Sequence, residues 1–190
     1  VVQVPDERLR KISELIKPKS LIPTAMEFVD IAGLVAGASK GEGLGNQFLG
    51  HIRQTDAIVH VVRCFDDPNI IHVSGSVNPT RDIEVINTEL LLADLDSVEK
   101  KMQRLEKQAR STTDKKIKLE YDTLKKLQDA LGAGKAARSV ALDEFELPIA
   151  KELHLLTMKP VLYACNVNET DFAAGGNAWV DEVVKHATSE

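Results

Sequence analysis

Asp30 and Gly33 stand three residues apart at the end of an apolar stretch. That stretch contains Met26, Phe28 and Val29 and is typical of a short buried strand. Asp30 would follow the strand at its carboxyl end, where a carboxylate can hold Mg²⁺, usually through a water molecule. Gly33 has no Cβ, so its backbone N–H can approach a γ-phosphate and respond to its presence. The spacing indicates a magnesium and phosphate site; the structural alternative is a strand that ends in a turn.

The segment that follows Gly33 is rich in glycine and precedes a helical pattern that begins at Gln47. Such a density of glycine is typical of a loop that moves or that lets its backbone approach a phosphate. We interpret the segment as a switch loop, with a flexible surface loop as the alternative. The predicted switch residues are Leu34, Gly37, Ser39, Lys40, Gly41, Gly43 and Gly45.

The composition limits the classes of partner. The 190 residues are 43% hydrophobic and 28% charged, with a formal net charge of -5. The hydrophobic share is sufficient for a core, and the negative charge excludes a polycationic surface over the whole chain. Contact with RNA would therefore require a local basic patch.

The two cysteines, Cys64 and Cys165, each lie within an apolar strand pattern. We interpret them as small buried thiols in a reducing compartment, with neither a disulfide nor a metal site between them. The sequence shows no signal peptide and no apolar run of about 18 residues that would cross a membrane. It predicts a cytoplasmic location and no membrane partner.

The first part of the chain reads as alternating strands and helices. Residues 1–4 form a short strand, and Asp6 caps a helix over 9–16. After the glycine-rich segment, 47–53 form a helix and 57–65 a nearly continuous apolar strand. Such continuity is typical of a parallel strand covered on both faces. The order of strand, loop, helix and strand predicts a βαβ unit.

The middle of the chain predicts an antiparallel helical hairpin. Residues 82–110 contain neither proline nor glycine, and a second helical pattern over 117–131 ends at Gly132 and Gly134. Apolar residues recur at heptad spacing along the first helix, which is typical of a coiled-coil seam. They are Leu91, Leu95, Val98, Met102, Leu105 and Ala109.

The predicted tip of this hairpin is rich in basic residues. A solvated helical face and a surface that faces RNA or the ribosome both account for such charge, and the sequence leaves the two open. The basic residues are Lys100, Lys101, Arg104, Lys107, Arg110, Lys115, Lys116 and Lys118.

The end of the chain returns to the sheet. Residues 143–155 predict a helix, 160–166 a buried strand and 179–187 an amphipathic helix. The hairpin is then an insertion between two strands of one α/β sheet.

Four segments together resemble the YchF or Obg-like ATPase family over nearly the whole chain. The first carries the Asp-x-x-Gly motif and the second the glycine-rich switch. The segments are EFVDIAGLV at 27–35, GASKGEGLGN at 37–46, DAIVHVVRCF at 56–65 and DIEVINTEL at 82–90.

This resemblance implies a partial three-layer α/β fold of the P-loop NTPase (Ras-like) class with an inserted antiparallel coiled-coil hairpin. The domains would be 1–79 and 156–190 for nucleotide binding, with 80–155 as the helical insertion. No phosphate loop of the form G-x-x-x-x-G-K-[ST] occurs in the 190 residues. We expect that loop before Val1, and the family's carboxyl-terminal TGS domain beyond Glu190.

The same resemblance assigns the reading of the base to Asn166, Val167, Asn168 and Glu169. Guanine-binding relatives carry Asn-Lys-x-Asp here, in which the short Asp accepts two hydrogen bonds from guanine. Glu169 is one methylene longer and misplaces that acceptor pair, which leaves guanine donors unpaired at a cost of about 1–3 kcal/mol. The resemblance therefore implies ATP in preference to GTP, with Asn166 at the base edge. A turn capped by Asn is the alternative.

The resemblance also bears on hydrolysis. Many GTPases carry Gln after Asp-x-x-Gly to orient the attacking water, whereas this chain has Leu34. Hydrolysis must then recruit another group or a potassium ion. His72 lies in a segment that resembles one whose His is proposed to act in this family, and a neutral imidazole can position water. The alternative is a polar residue at the root of the helical insertion.

Two classes of function follow. The first is a ribosome-associated ATPase that hydrolyses ATP, and GTP more weakly, with Mg²⁺. The second is a non-catalytic module whose hairpin binds ribosome, RNA or protein. Without a phosphate loop, the 190 residues alone are expected to bind nucleotide weakly or not at all.

Overall fold

A computed structural model describes residues 1–31, 44–72, 74–111 and 114–190, without the side chains of 44–47 and 109–111. The chain forms two compact units, Val1–Ala32 and Gly33–Glu190. None of the helices in the described ranges combines the length and the apolar composition that a membrane span requires.

The first unit contains one helix and a short antiparallel ribbon. Strand β1 (Val2–Gln3) pairs with β2 (Ala25–Met26), and helix α1 (Glu7–Ile16) lies between them in the chain. As predicted, Asp6 caps α1: its carboxylate accepts a hydrogen bond of 2.8 Å from the N–H of Arg8.

The buried strand predicted before Asp30 is not observed. Strand β2 ends at Met26, and the side chains of Met26 and Phe28 are 52% and 58% exposed. Apolar sequence drives a strand into a core only where neighbouring elements cover it, and helix α1 of this unit has no buried residue.

The second unit contains two strands and six helices among its described residues. Helix α2 begins three residues before its predicted start, whereas the helical hairpin and both parallel strands lie close to their predicted positions. The elements are α2 (Leu44–Arg53), β3 (Ile58–Arg63), α3 (Pro79–Ser111), α4 (Lys115–Gly132), α5 (Glu146–Glu152), β4 (Val161–Asn166), α6 (Glu169–Ala173) and α7 (Ala178–Ser189).

Strands β3 and β4 are parallel neighbours in register from Ile58↔Val161 to Arg63↔Asn166. Helices α3 and α4 lie between these two adjacent strands in the chain. One face of the strand pair packs on α3 and α7 through a cluster of buried residues. The cluster consists of Val62, Cys64, Ile83 and Val183.

The other face of the strand pair is exposed, contrary to the prediction of cover on both faces. Val61 and Leu162 are each 65% exposed, and Val59 is 43% exposed. A continuous apolar sequence allows both faces of a strand to be buried. Whether they are buried depends on which elements pack against them. Two of the three predicted layers are therefore observed at β3 and β4.

Helices α3 and α4 pack side by side as an antiparallel pair. Lys101 of α3 forms an ion pair of 2.7 Å with Glu120, and the Gln128 amide donates to Glu99 at 3.3 Å. A buried apolar cluster joins them and contains Val98, Leu124, Leu127 and Leu131. The other predicted seam residues, Leu91, Leu95, Met102 and Leu105, are partly buried and pack against this cluster. Supercoiled packing of the two helices stays a prediction.

The single helix predicted over 143–155 is divided. Helix α5 covers Glu146–Glu152, and a 3₁₀ turn follows over Leu156–Met158. His154, with φ 48°, adopts the left-handed conformation that ends a helix. The backbone N–H groups of Leu156 and Thr157 then donate to the Asp94 carboxylate of α3 at 2.8 and 2.7 Å.

Candidate functional site

The candidate site lies at the carboxyl edge of the parallel strands β3 and β4. The ladder ends with Arg63 opposite Asn166, and the N–H of Cys64 donates to the Asn166 carbonyl at 2.7 Å. Both strands therefore deliver the segments that follow them to the same edge. In open α/β sheets, ligands bind at this edge of the strands.

The four predicted base-reading residues differ in their environments. Asn166, the last residue of β4, and Glu169, the first of α6, are exposed. Val167 packs against the buried cluster between the sheet and helices α3 and α7. The side chain of Asn168 caps α6 and accepts a hydrogen bond of 2.7 Å from the N–H of Asp171. The capping alternative thus describes Asn168, while Asn166 and Glu169 can meet a ligand.

Sequence analysis did not identify Asn177, which anchors this segment from the next helix. Its amide nitrogen donates to the carbonyl of Cys64 at 2.8 Å and to the Asp171 carboxylate at 2.7 Å. Its amide oxygen accepts from the N–H of Val180 at 3.1 Å and caps α7. An Asn before an amphipathic helix is a recognisable capping signal, whereas its contact with a residue 113 positions away is not visible in the sequence.

Arg63 holds the segment that follows β3. Its guanidinium donates to the carbonyls of Phe65 and Ile70, each at 3.0 Å. The same group lies 4.6 Å from the centre of the Phe65 ring, within the range of a cation–π contact. Five donors in one planar group allow Arg to connect these contacts at once.

His72 lies at the root of the helical insertion, with both ring nitrogens engaged. Nδ1 accepts from the N–H of Ser74 at 3.1 Å, and Nε2 lies 3.0 Å from the carboxylate of Asp82 in α3. Because Nδ1 accepts, Nε2 carries the proton of the neutral ring and donates to Asp82. Arg81 donates to the second oxygen of the same carboxylate at 3.1 and 3.0 Å.

The predicted magnesium ligand, Asp30, lies in the first unit and is exposed. Gly45 lies in the first turn of α2. The other predicted phosphate and switch residues lie outside the described part of the chain. They are Gly33, Leu34, Gly37, Ser39, Lys40, Gly41 and Gly43.

Both cysteines are free thiols on the covered side of the sheet, with Cys64 buried as predicted and Cys165 only partly buried. Cys64 is fully buried. Burial, and next the neighbouring Cys165, raise the pKa of the Cys64 thiol to about 12. The thiol of Cys64 therefore stays protonated near neutral pH and is a weak nucleophile.

Comparison with known proteins identifies the family of this chain. The model of the family described as 50S ribosome-binding GTPase matches residues 10–129. The "Ribosome-binding ATPase YchF" of Bacillus subtilis is 53% identical over 191 residues, which cover 100% of this chain and 52% of that protein. "Obg-like ATPase 1" of Oryza sativa subsp. indica is 43% identical over 188 residues, covering 95% and 48%. The chain spans about half the length of these curated relatives.

A solved structure agrees with the sequence matches. The YchF GTPase of Schizosaccharomyces pombe superposes with a TM-score of 0.80 at 41% identity and covers 97% of this chain and 50% of its own. The fold is accordingly that of a P-loop GTPase domain. The chain belongs to the 50S ribosome-binding GTPase family and, within it, to the YchF proteins.

Proposed function

We propose that this chain contributes the base-reading and switch parts of a cytoplasmic nucleoside triphosphatase that hydrolyses ATP in preference to GTP. The observation that carries the proposal is the carboxyl edge of β3 and β4. At this edge the exposed Asn166 ends β4 and the exposed Glu169 begins α6. Open α/β sheets bind their ligands at this edge.

The preference for ATP rests on two side chains. Glu169 carries its carboxylate one methylene farther from the backbone than the Asp of guanine readers, so guanine's two donors lose a matched acceptor pair. Val167 replaces the Lys whose stem covers the base plane in guanine readers, and it packs into the buried cluster instead. Asn166 is the group that meets the base edge.

The carboxylate of Asp30 is a suitable ligand for Mg²⁺. No group of three or more His, Cys, Asp or Glu side chains that could hold a metal occurs in the ranges that the structure describes. Mg²⁺ usually binds through one or two carboxylates, water and substrate phosphates rather than an all-protein cage. A single exposed carboxylate such as Asp30 matches that pattern. Bound Mg²⁺ would neutralise phosphate charge.

We propose His72 as the residue that orients the attacking water, because Leu34 cannot. In the observed geometry the Nε2–H of His72 is directed to Asp82. Catalysis therefore requires this hydrogen bond to break, so that the ring can turn toward the nucleotide. A bound potassium ion is the alternative source of charge stabilisation.

Nucleotide titration of the native full-length protein, with Mg²⁺, tests the proposal. We expect tighter binding of ATP than of GTP, and a Kd for ATP about tenfold higher in Asn166→Ala, since one base contact is lost. Asp122→Asn, an exposed change on α4, serves as a control. A preference for GTP would overturn the role of Glu169. The 190-residue chain by itself is expected to bind both nucleotides weakly or not at all.

A second function, ribosome binding through the hairpin, is favoured by the charge at its tip. Arg104, Lys115, Lys116 and Lys118 are exposed there. Other basic residues are already paired: Lys100 with Asp96 and Lys101 with Glu120, each at 2.7 Å. The Bacillus subtilis relative carries "Ribosome-binding" in its name.

Charge reversal separates the two functions. Changing the four exposed residues Arg104, Lys115, Lys116 and Lys118 to Glu should weaken cosedimentation with ribosomes and leave ATP binding unchanged. Reversal of four exposed lysines away from the tip, Lys125, Lys135, Lys151 and Lys185, is the matched control. Unaltered ribosome association in the tip variant would exclude this surface.

A further inference from the structure

Helix α6, which begins at Glu169, has little packing of its own. Helix α6 is five residues long and has no buried residue, and its Phe172 is 78% exposed. Gly175 and Gly176 follow, with φ of 87° and 132°. Conformations of this kind are open to glycine and rare for other residues. Neither burial nor a rigid connection therefore holds α6 in place.

Hydrogen bonds from Asn177 supply the missing restraint. Its amide nitrogen bridges the carbonyl of Cys64 at 2.8 Å and the carboxylate of Asp171 at 2.7 Å. The N–H of Asp171 in turn donates to Asn168 at 2.7 Å, and the N–H of Cys64 donates to the carbonyl of Asn166 at 2.7 Å. These contacts form a closed circuit from the end of β3 through α7 and α6 back to the end of β4.

We propose that Asn177 and Asp171 are positioning residues for base recognition: they hold Asn166 and Glu169 at the distance and angle that an adenine base requires. This inference rests on the proposed function of Asn166 and Glu169. Hydrogen bonds weaken steeply when donor and acceptor are misaligned. A segment that moves loses selectivity between bases before it loses its fold.

The capping role of Asn177 can be separated from its bridging role. Asn177→Asp retains the oxygen that accepts from the N–H of Val180, and Asp is an equally favoured N-cap residue. The same change removes both donated hydrogen bonds and brings a carboxylate against the Cys64 carbonyl and the Asp171 carboxylate. In Asp171→Asn/Asn177→Asp, the amide at position 171 can donate to the carboxylate at 177 and restore one bridge.

The test is steady-state hydrolysis by the native full-length protein, with kcat and KM for ATP and GTP measured beside the thermal midpoint. We expect Asn177→Asp to raise KM for ATP about tenfold with kcat changed by less than about twofold. The ratio of kcat/KM for ATP to that for GTP should fall toward one. The double variant should recover KM for ATP to within about threefold of the native value.

Further variants keep the outcome decisive. If Asn177→Asp fails to fold, Asp171→Ala leaves the contacts of Asn177 with Cys64 and α7 intact and should still raise KM for ATP. An unchanged KM in these variants, together with a raised KM in Asn166→Ala, would overturn the positioning role and leave base reading by Asn166 in place. An unchanged KM in Asn166→Ala as well would overturn the proposed function. If the variants lower the thermal midpoint and the double variant does not recover the KM for ATP, the hydrogen bonds of Asn177 and Asp171 have only a structural role.

Discussion

At the scale of single residues, the polar side chains at the carboxyl edge fall into two groups: some bind backbone groups, and others are candidates for ligand contact. The side chains of Asn168 and Asn177 cap α6 and α7, and Asn177 also donates to the carbonyl of Cys64 at the end of β3. Asn166 and Glu169, on either side of Asn168 in the sequence, are exposed. Because unpaired backbone N–H groups at a helix start are costly, the caps are satisfied first. Asn166 and Glu169, which are not the cap residues of α6 and α7, are therefore the better candidates for ligand contact.

Asp94 is a buried carboxylate, at 0% exposure, that joins α3 to the segment before β4. It accepts hydrogen bonds from the N–H groups of Leu156 and Thr157 and from the Thr157 hydroxyl. Asp94→Ala leaves these buried donors unpaired, so we expect the free energy of unfolding in urea to fall by about 3 kcal/mol. Asp96→Ala, which removes only an exposed ion pair with Lys100, should cost less than about 1 kcal/mol. Equal losses in the two variants would contradict this role of Asp94.

His60 predicts a pH dependence of stability. Burial in the strand pair, and then the nearby His186, hold the pKa of His60 below its ordinary value of 6.5. The unfolded chain then takes up this proton first as the pH falls. The stabilisation is present above pH 6.5 and is lost as the pH falls through the lowered pKa of His60.

Urea unfolding across this pH range measures the effect. We expect the free energy of unfolding of the native chain to decrease on acidification more than that of His60→Gln, which cannot titrate. Parallel pH profiles for the two proteins would show that His60 does not contribute. Val59→Thr, a change to a residue that cannot titrate at an exposed position of the same strand, is the control and should keep the native profile.

At the scale of elements, the helical pair of α3 and α4 depends on its apolar seam. Val98 of α3 and Leu124 and Leu127 of α4 are fully buried. Leu124→Ala removes side-chain volume from this cluster and leaves a cavity, so we expect a loss of about 2–5 kcal/mol in the free energy of unfolding. Lys125→Ala, on the exposed side of the same helix, should change stability by less than about 0.5 kcal/mol. A comparable loss in both variants would mean that the seam is not the source of stability.

Sequence periodicity predicted this pair well because the signal and the structure share one cause. Heptad spacing places Leu91, Leu95 and Val98 on one helical face, and that face is the one that packs. The division of 143–155 at His154 was not predictable in this way, because a single left-handed residue leaves no periodic trace. The prediction of a buried strand before Asp30 was wrong for a further reason, because apolar composition does not specify which neighbouring element would cover the strand.

The candidate site was predicted in part for the same reasons. Asn166 ends an apolar strand and Glu169 comes three residues later, so a short local motif places both at the carboxyl edge. Asn177 and Asp171 act through contacts with Cys64 and with each other that only the folded chain brings together. Local patterns identify residues that present a ligand group, whereas residues that hold those groups in place depend on tertiary structure.

At the scale of the whole molecule, distant parts of the sequence build one strand pair. Strands β3 and β4 are neighbours although the helical pair lies between them in the chain. The ammonium group of Lys159 donates to the carbonyls of Arg53 and Thr55, which ties the approach to β4 to the end of α2. Arg53 donates to Ser97 of α3 at 2.8 Å. These contacts join α2, the middle of α3 and the residues before β4, which lie far apart in the sequence.

The open face of β3 and β4 predicts how the 190-residue chain behaves by itself. Val61 and Leu162 are each 65% exposed on one apolar surface, and an unpaired sheet surface favours association. We expect sedimentation velocity to show association that increases with concentration, and Val61→Lys to reduce it because a charge on that face opposes burial. Val184→Lys, at an exposed valine of α7 outside this face, is the matched control and should associate like the native chain. If Val61→Lys associates as strongly as the native chain, the open face of the sheet is not the surface through which copies meet.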